Sequence, residues 1–311
     1  MYKRQLDINA QTVGAQALSI NGQSSSTVGA LTNSGAAGSY AGTVALGSAS
    51  SIGGTGDITL SNSISGANAL TKVGADKLTL TGASNGSTTT TISNGTLQIG
   101  SGGTSGLLGS GAVTNNGTLA FNRTDSYGGT VNNAINGSGA VTVNGGTLTL
   151  GGTNTYGGTT TVTSGTLVIS GTGSVTSNVT VQSGGTIGGA GTITGNLILN
   201  SGSHFEFSLT NTLAVNTGTL SFGAGGFGVA NLTGLDSSVA TGTYQLISGS
   251  VNTANLNNLG LGNAYILGGG KSAYFQIASL DLVVVPEPAT WGLLAFSLTT
   301  VMIFRRRRKN S

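Results

Sequence analysis

The chain has almost none of the residue types that carry most enzyme chemistry. It contains no cysteine, one histidine and two prolines, and only 6% of its 311 residues are charged. The absence of cysteine excludes a disulfide framework and thiolate metal sites. The carboxylates before residue 286 are few and dispersed, whereas calcium sites and acid–base hydrolases need them clustered. The sequence therefore predicts no cofactor, no metal site and no enzymatic activity.

The single histidine gives the only pattern that invites a catalytic interpretation. His204, Glu206 and Ser208 alternate along a strand-like segment, so their side chains point to one face. Phe205 and Phe207 point to the opposite face. Because residues two apart share a face on any solvent-exposed strand, we interpret this row as ordinary surface rather than as a catalytic triad.

Two glycine-rich motifs are interpreted as turns. Residues 223–228, GAGGFG, fit a dinucleotide-binding pattern literally, but the residues that follow do not resemble a helix that could receive a phosphate. Residues 268–272, GGGKS, lack the earlier glycine of a phosphate-binding loop because Tyr265 stands there.

The formal charge of +3 does not indicate a nucleic-acid partner, because the cations are unevenly distributed along the chain. Five of the eleven lie within residues 305–309. Residues 1–285 carry six Lys and Arg against seven Asp and Glu, so the body of the chain is close to neutral. It offers no basic face to a phosphate backbone, and we expect no nucleic-acid partner.

The body of the chain, with most of its 56 glycines, is typical of short β-strands. Segments such as Lys77–Leu80 and Thr147–Leu150 alternate apolar residues with Thr or Ser, which is the pattern of half-buried strands. Asn-Gly and Gly-Gly pairs between the segments supply the positive φ angles that tight turns need. No helical pattern occurs before residue 289.

The strands belong to an internal repeat. Residues 77–100 align without gaps to residues 147–170, and Gly-Thr-Leu or a variant recurs with most copies about 20 to 30 residues apart. That spacing predicts one coil of a solenoid, in which each coil buries apolar side chains against the next. The residues predicted to face inward are Leu78, Leu80, Ile92, Leu97, Leu148, Leu150, Val162, Leu167 and Ile169.

The unit G-x-T-x-V-x-S-G-T-L-x-I, clearest at residues 158–169, resembles the autotransporter-associated β-strand repeat. The resemblance covers two full copies and several partial ones within residues 67–200. It implies an all-β fold, a right-handed parallel β-helix of the kind found in bacterial passenger domains.

Differences in composition and repeat pattern divide the chain into four predicted domains. Residues 1–66 form a degenerate, low-complexity β region, and residues 67–200 form the β-helix. Residues 201–285 hold eight of the sixteen aromatic residues, which are sparse before them, and predict a small β cap that closes the end of the helix. Residues 286–311 form the fourth domain, which differs from all the others.

The last domain combines a stiff triplet, an apolar run and a basic tail. Pro286, Glu287 and Pro288 come first, and both prolines favour extended backbone. Residues 289–304 are without formal charge. As a helix they would span about 24 Å, which is shorter than the hydrocarbon core of a bilayer but sufficient for a membrane anchor. The cations that follow predict a stop-transfer signal that stays cytoplasmic: Arg305, Arg306, Arg307, Arg308 and Lys309.

This order and spacing resemble the PEP-CTERM sorting signal. The resemblance implies export through the Sec translocon, a transmembrane helix at 289–304, and cleavage near Pro286–Pro288 by an exosortase-type membrane peptidase. It also implies a precursor in the inner membrane and a product at the cell surface or outside the cell. Residues 1–5 are followed by polar sequence rather than an apolar signal-peptide core, so we expect the natural start to lie upstream.

These features predict an exported structural or adhesive protein of the cell surface or extracellular matrix. Its outward Thr, Ser and Asn side chains would face extracellular polysaccharide. Two alternatives remain open: a fragment of a carbohydrate-active β-helix enzyme, and an adhesin that stays tethered to the membrane uncleaved.

Overall fold

The computed structural model describes residues 5–23, 25–277 and 279–287. Its elements are short strands and two single-turn 3₁₀ helices, η1 (Val229–Asn231) and η2 (Leu261–Asn263). The strands are β1 (Leu6–Asp7), β2 (Thr12–Val13), β3 (Leu18–Gly22), β4 (Leu31–Thr32), β5 (Gly38–Tyr40), β6 (Val44–Ile52), β7 (Ile58–Leu60), β8 (Ile64–Ser65), β9 (Leu70–Lys72), β10 (Lys77–Leu80), β11 (Thr90–Ile92), β12 (Thr96–Gly103), β13 (Val113–Asn115), β14 (Thr118–Val131), β15 (Ile135–Asn136), β16 (Ala140–Leu150), β17 (Thr153–Asn154), β18 (Thr160–Val162), β19 (Gly165–Ile169), β20 (Ser174–Val175), β21 (Val179–Val181), β22 (Gly185–Gly189), β23 (Thr192–Ile193), β24 (Leu197–Leu199), β25 (His204–Glu206), β26 (Leu213–Phe222), β27 (Leu232–Thr233), β28 (Gly242–Val251), β29 (Tyr265–Gly268), β30 (Lys271–Ile277) and β31 (Leu280–Pro286).

The strands stack in parallel ladders, which makes the protein a parallel β-solenoid. Face 1 runs through β7, β10, β12, the first parts of β14 and β16, then β18, β21, β24 and the end of β26. Face 2 runs from the end of β16 through β19, β22 and β25 to β27. Face 3 includes β9, β11, β13 and β15, and later β17, β20 and β23. The predicted all-β solenoid is confirmed.

Most strands have three residues or fewer, and this length determines how the core is built. In a three-residue strand the first and third side chains point inward and the middle one points outward. Leu78, Leu97 and Leu119 therefore stack in register in one inward column of face 1. All nine residues that were predicted to face inward are buried, with at most 3% of their surface exposed. That part of the prediction is confirmed.

The C-terminal end of the solenoid is covered by four mostly antiparallel strands in the order β28–β31–β30–β29. The far end of β28 pairs in parallel with β26, which joins this sheet to the coils. Phe227 stacks between Phe222 of the last coil and Phe275 of β30, with ring centroids 5.4 and 6.2 Å apart. These rings shield the apolar end of the core from water.

The parallel ladders run continuously across residues 66 and 200, and the antiparallel strands begin at Gly242. The division into four domains stays a prediction. Within the described residues, no helix is long and apolar enough to cross a membrane. The predicted span at 289–304 lies outside the described residues, as do Pro288 and the basic tail at 305–309.

Candidate functional site: outer polar columns and the C-terminal exit

The outer surface of the solenoid carries columns of hydroxyl and amide side chains. These columns arise because the middle residue of each short strand points outward, and parallel register places equivalent residues above one another. Successive members are separated by about 4.8 Å, the spacing between hydrogen-bonded strands. Face 1 presents Thr59, Gln98, Thr142, Thr161, Thr180 and Ser221, and its column is interrupted by the buried Thr79, by Ala120 and by Ile198. Face 2 presents Ser126, Thr147, Thr166, Thr186 and His204, and face 3 presents Thr71, Thr91, Thr114 and Asn136.

His204 is the last member of the face 2 column rather than part of a triad. It lies beside Thr186 of the previous coil and is half-buried, while Glu206 is exposed. The Glu206 carboxylate lies so close to Gly188 that a β-carbon there would be 2.8 Å from it. Ser208 lies beyond the end of β25, and its hydroxyl contacts Thr210. This arrangement brings no general base to a nucleophile.

Among the described residues, no group of three or more His, Cys, Asp and Glu side chains could hold a metal ion. The two glycine motifs are turns. In the first, Gly225 and Gly226 have φ angles of 97° and 85° and are followed by the single turn η1. The second connects β29 to β30.

The C-terminal exit begins where the last strand ends. Pro286 is the final residue of β31 and lies opposite Lys271 of β30. Glu287 follows in the same direction, and its backbone N–H donates to the carbonyl of Gly270 at 2.8 Å. Both Pro286 and Glu287 are exposed. The first two residues of the predicted sorting motif therefore form the exposed end of the last strand, where Glu287 is still bonded to the turn between β29 and β30.

A buried ion pair is the most unusual polar feature of the core, and the sequence did not predict it. Lys72 occupies an inward position of face 3, between Ile52 and Ile92 of the neighbouring coils. Its ammonium group donates to Asp76 at 2.6 Å and to the carbonyls of Val73 and Gly74 at 2.7 and 2.9 Å.

Both partners of this pair are fully buried. Burial lowers the pKa of Lys72 and raises the pKa of Asp76, because each charge loses hydration. The hydrogen bond and the attraction between the two charges oppose both changes. Because carbonyl oxygens surround the ammonium group, Lys72 has a structural role: it satisfies buried hydrogen-bond acceptors within an apolar column of the core. The only signal in the sequence was a lysine at an inward position of the repeat.

A second ion pair shapes the loop after β12. Arg123 donates to both oxygens of Asp125 at 2.8 Å and to the carbonyls of Thr104 and Gly106. Its guanidinium also lies 5.6 Å from the centre of the Tyr127 ring. The hydrogen bonds from Arg123 lower the pKa of Asp125, because they stabilise the carboxylate. The contacts hold the exposed loop after β12 against β14.

The comparison with family models identifies the repeat. The passenger-associated-transport-repeat family model matches residues 70–99 and 143–169. The expected autotransporter-associated repeats are thereby confirmed, whereas the sorting signal stays a prediction. No curated protein and no solved structure matches the chain. The repeats and the solenoid fit an exported, adhesin-type surface protein.

Proposed function

We propose that this chain is a structural or adhesive scaffold of the cell surface or extracellular matrix, delivered by its C-terminal sorting signal. The observation that carries the proposal is the outer surface of the solenoid. Three faces present regularly spaced hydroxyl and amide groups, which can exchange hydrogen bonds with water for hydrogen bonds with sugar hydroxyls. The nearly neutral body suits a neutral, hydrated polysaccharide.

Adhesion is tested with variants that remove one column of hydroxyls. Thr142, Thr161 and Thr180 on face 1 are replaced together by valine, which keeps the shape and β-propensity of the side chain. Migration through gels containing hydroxyethyl cellulose should be slowed for the natural chain and less slowed for the variant. Matched variants remove Thr147, Thr166 and Thr186 on face 2, or Thr71, Thr91 and Thr114 on face 3.

Circular dichroism must show the same β signal in each variant, so that lost binding reflects lost hydroxyls. If the natural chain is not retarded, or if all three triple variants migrate as it does, the adhesive assignment is wrong.

Delivery is the second part of the proposal. The Sec translocon would export the chain, residues 289–304 would hold it in the inner membrane, and the cations at 305–309 would keep the tail cytoplasmic. An exosortase-type peptidase would then cut near Pro286–Pro288, releasing the solenoid to the surface. Support comes from the exposed, extended Pro286 and Glu287 at the end of β31.

Processing is tested in a host that carries the peptidase, with a secretory signal added. The natural chain should yield a product that ends near residue 286. Glu287→Ala should leave full-length precursor in the membrane, whereas Glu206→Ala, which removes another exposed glutamate, should be processed normally. Replacing the five cations by serine should disturb the topology. Mass spectrometry that finds Asn310 and Ser311 on the surface protein would show an uncleaved, tethered adhesin instead.

A further inference from the structure

The chain contains six Asn-Gly pairs, and the proposed function uses none of them. In such a pair the backbone nitrogen of the glycine can attack the side-chain amide carbon of the asparagine, because glycine has no side chain to hinder the approach. Whether the attack occurs depends on how the fold holds the two groups. The six asparagines are Asn21, Asn85, Asn94, Asn116, Asn136 and Asn144.

In two of the pairs the fold directs the glycine nitrogen elsewhere. The Gly22 N–H donates to the Ser48 hydroxyl at 2.9 Å. The Gly86 N–H donates to the Ile64 carbonyl of the preceding coil, also at 2.9 Å. These hydrogen bonds keep each nitrogen away from the asparagine side chain that precedes it.

Three further pairs are restrained by contacts of the asparagine or by strand pairing. The Asn116 side-chain oxygen accepts from the Ser138 N–H at 3.2 Å. Asn136 is paired with Thr114 at the end of β15. Asn144 lies within β16, where the following Gly145 is paired with β14.

The pair Asn94-Gly95 is held differently. It forms the turn between β11 and β12, and Asn94 is exposed. The Gly95 N–H donates to the side-chain oxygen of Asn94 itself, at 2.8 Å. That oxygen is bonded directly to Cγ, the carbon under attack, so a small rotation of the side chain brings the Gly95 nitrogen onto it. The Ser63 N–H makes the same contact to Asn62, but there a serine side chain hinders the approach.

We propose that Asn94 is a site of spontaneous deamidation, at which the fold itself favours conversion to aspartate or isoaspartate. In the first step the Gly95 nitrogen bonds to Cγ, the bond from Cγ to Nδ2 breaks, and ammonia leaves with the proton that Gly95 gives up. Water then opens the cyclic imide at either of its two carbonyl carbons. Opening at Cγ gives aspartate, and opening at the backbone carbon gives isoaspartate. The inference does not depend on the proposed function.

The reaction would change the surroundings of the buried ion pair. The backbone carbonyl of Asn94 lies 3.4 Å from the Lys72 ammonium. In isoaspartate this carbonyl becomes a free carboxylate, while the chain continues through Cγ and is one backbone atom longer. The extra atom would precede β12, where the Thr96 N–H donates to the Asp76 carbonyl at 3.1 Å. Deamidation at Asn94 would therefore place a negative charge beside Lys72 and displace the start of β12.

The test follows conversion at single asparagines in the full chain. The purified protein is kept at mildly alkaline pH in water enriched in heavy oxygen, and peptide mass spectrometry gives the rate at each site. Asn21 is the matched control: it is also exposed and also precedes glycine, but the Gly22 N–H is held by Ser48. The same measurement in urea, with the chain unfolded, gives the rates that the sequence alone determines.

In the folded chain Asn94 should convert at least about fivefold faster than Asn21, because only at Asn94 is the reacting nitrogen held against the side chain. In urea the two rates should be similar, because both asparagines precede glycine. If Asn94 converts no faster than Asn21 in the folded chain, the inference is wrong. An equal ratio of the two rates in the folded and the unfolded chain would show that the sequence rather than the fold sets the preference, and would also overturn the inference.

Discussion

At the scale of single residues, Lys72 shows how one polar side chain can be held in an apolar column. Replacing it by methionine keeps its length but leaves Asp76 and several carbonyls without their donor. Removing one partner of a buried ion pair costs about 3–5 kcal/mol, so Lys72→Met should lower the free energy of unfolding by roughly that amount. Urea denaturation at neutral pH measures the change.

Lys77→Met is the matched control. Lys77 lies 3.6 Å from Asp57, and both side chains are about half exposed, 44% and 45%. An exposed pair contributes about 0–1 kcal/mol, so this change should be small. The double variant Lys72→Met with Asp76→Leu should regain much of the lost stability, because it removes the unpaired charge. Equal effects of Lys72→Met and Lys77→Met would contradict the structural role of the buried pair.

Tyr156 provides a prediction about alkaline pH. Its hydroxyl is 2.6 Å from that of Thr160, and burial raises the pKa of Tyr156 from 10.0 to about 12. Because the folded state holds the phenol proton more tightly than the unfolded state, the resulting stability is complete below pH 10. It is lost as the pH rises through 12. Two pKa units correspond to about 2–3 kcal/mol.

Tyr156→Phe has no phenol to ionise. At pH 7 it should be less stable than the natural chain by about 1 kcal/mol, since one hydrogen bond is removed. Between pH 10 and 12 the difference should shrink and then reverse. Denaturation measured across this range checks the prediction. Parallel curves for the two proteins would show that Tyr156 ionises as freely as an exposed tyrosine.

At the scale of elements, the sequence predicts the repeats correctly, but it does not predict the face of the solenoid on which each copy lies. Residues 77–80 and their repeat partners 147–150 were aligned without gaps, yet the first lies on face 1 and the second on face 2. Ile92 and Val162 likewise lie on faces 3 and 1. All are buried, because any face of the solenoid needs the same alternation of inward and outward residues.

This change of face has a simple cause. The inward column of face 1 advances from Leu78 to Leu97, Leu119 and Val141, steps of 19, 22 and 22 residues. The two copies of the repeat are 70 residues apart, and this distance corresponds to three full coils plus the step from one face to the next. Alternation reveals burial, but only the ladder hydrogen bonds determine which strands stack. The ion pair of Lys72 does not follow from alternation, because it depends on how the turn between Lys72 and Asp76 folds back over the ammonium group.

Close stacking of turns also predicts which glycines are required. A β-carbon at Gly111 would lie 1.4 Å from the Thr88 carbonyl of the preceding coil, whereas at Gly103 it would meet nothing within 4 Å. Neither residue has a positive φ angle, so the comparison isolates space from backbone strain. Gly111→Ala should cost about 1–3 kcal/mol, as overpacking does. Gly103→Ala should change stability by less than about 0.5 kcal/mol, as surface substitutions do.

Thermal unfolding of the two alanine variants makes the comparison. If both melt at the temperature of the natural chain, the turns before β13 are packed more loosely than the structure shows.

At the scale of the whole molecule, a solenoid differs from a globular domain because each coil contacts only its neighbours. Stability is then close to a sum of terms for coils and for the contacts between adjacent coils. The aromatic stack of Phe222, Phe227 and Phe275 matters for another reason: it covers one end of the core. From the aromatic residues of 201–285 the sequence predicted a cap over that whole segment, but the parallel strands continue well into it.

The modular architecture predicts that a whole coil can be deleted. Residues 179–196 contain β21, β22 and β23, one strand for each face. Without them β18 would meet β24, β19 would meet β25, and β20 would meet β26, which are the pairings that follow one coil later. Asn178 would take the place of Asn196, whose carbonyl accepts from Val179 as that of Asn178 accepts from Thr160.

This 18-residue deletion should therefore leave a folded protein with a β-type circular dichroism spectrum and a single cooperative transition. Deleting only residues 179–187 removes half a coil and is the control. It would join Asn178 to Gly188 and move every later strand to the wrong face, so apolar side chains that now face inward would be exposed. We expect that variant to aggregate or to unfold without cooperativity. If the half-coil deletion folds as well as the whole-coil deletion, the register of the ladders does not determine the fold.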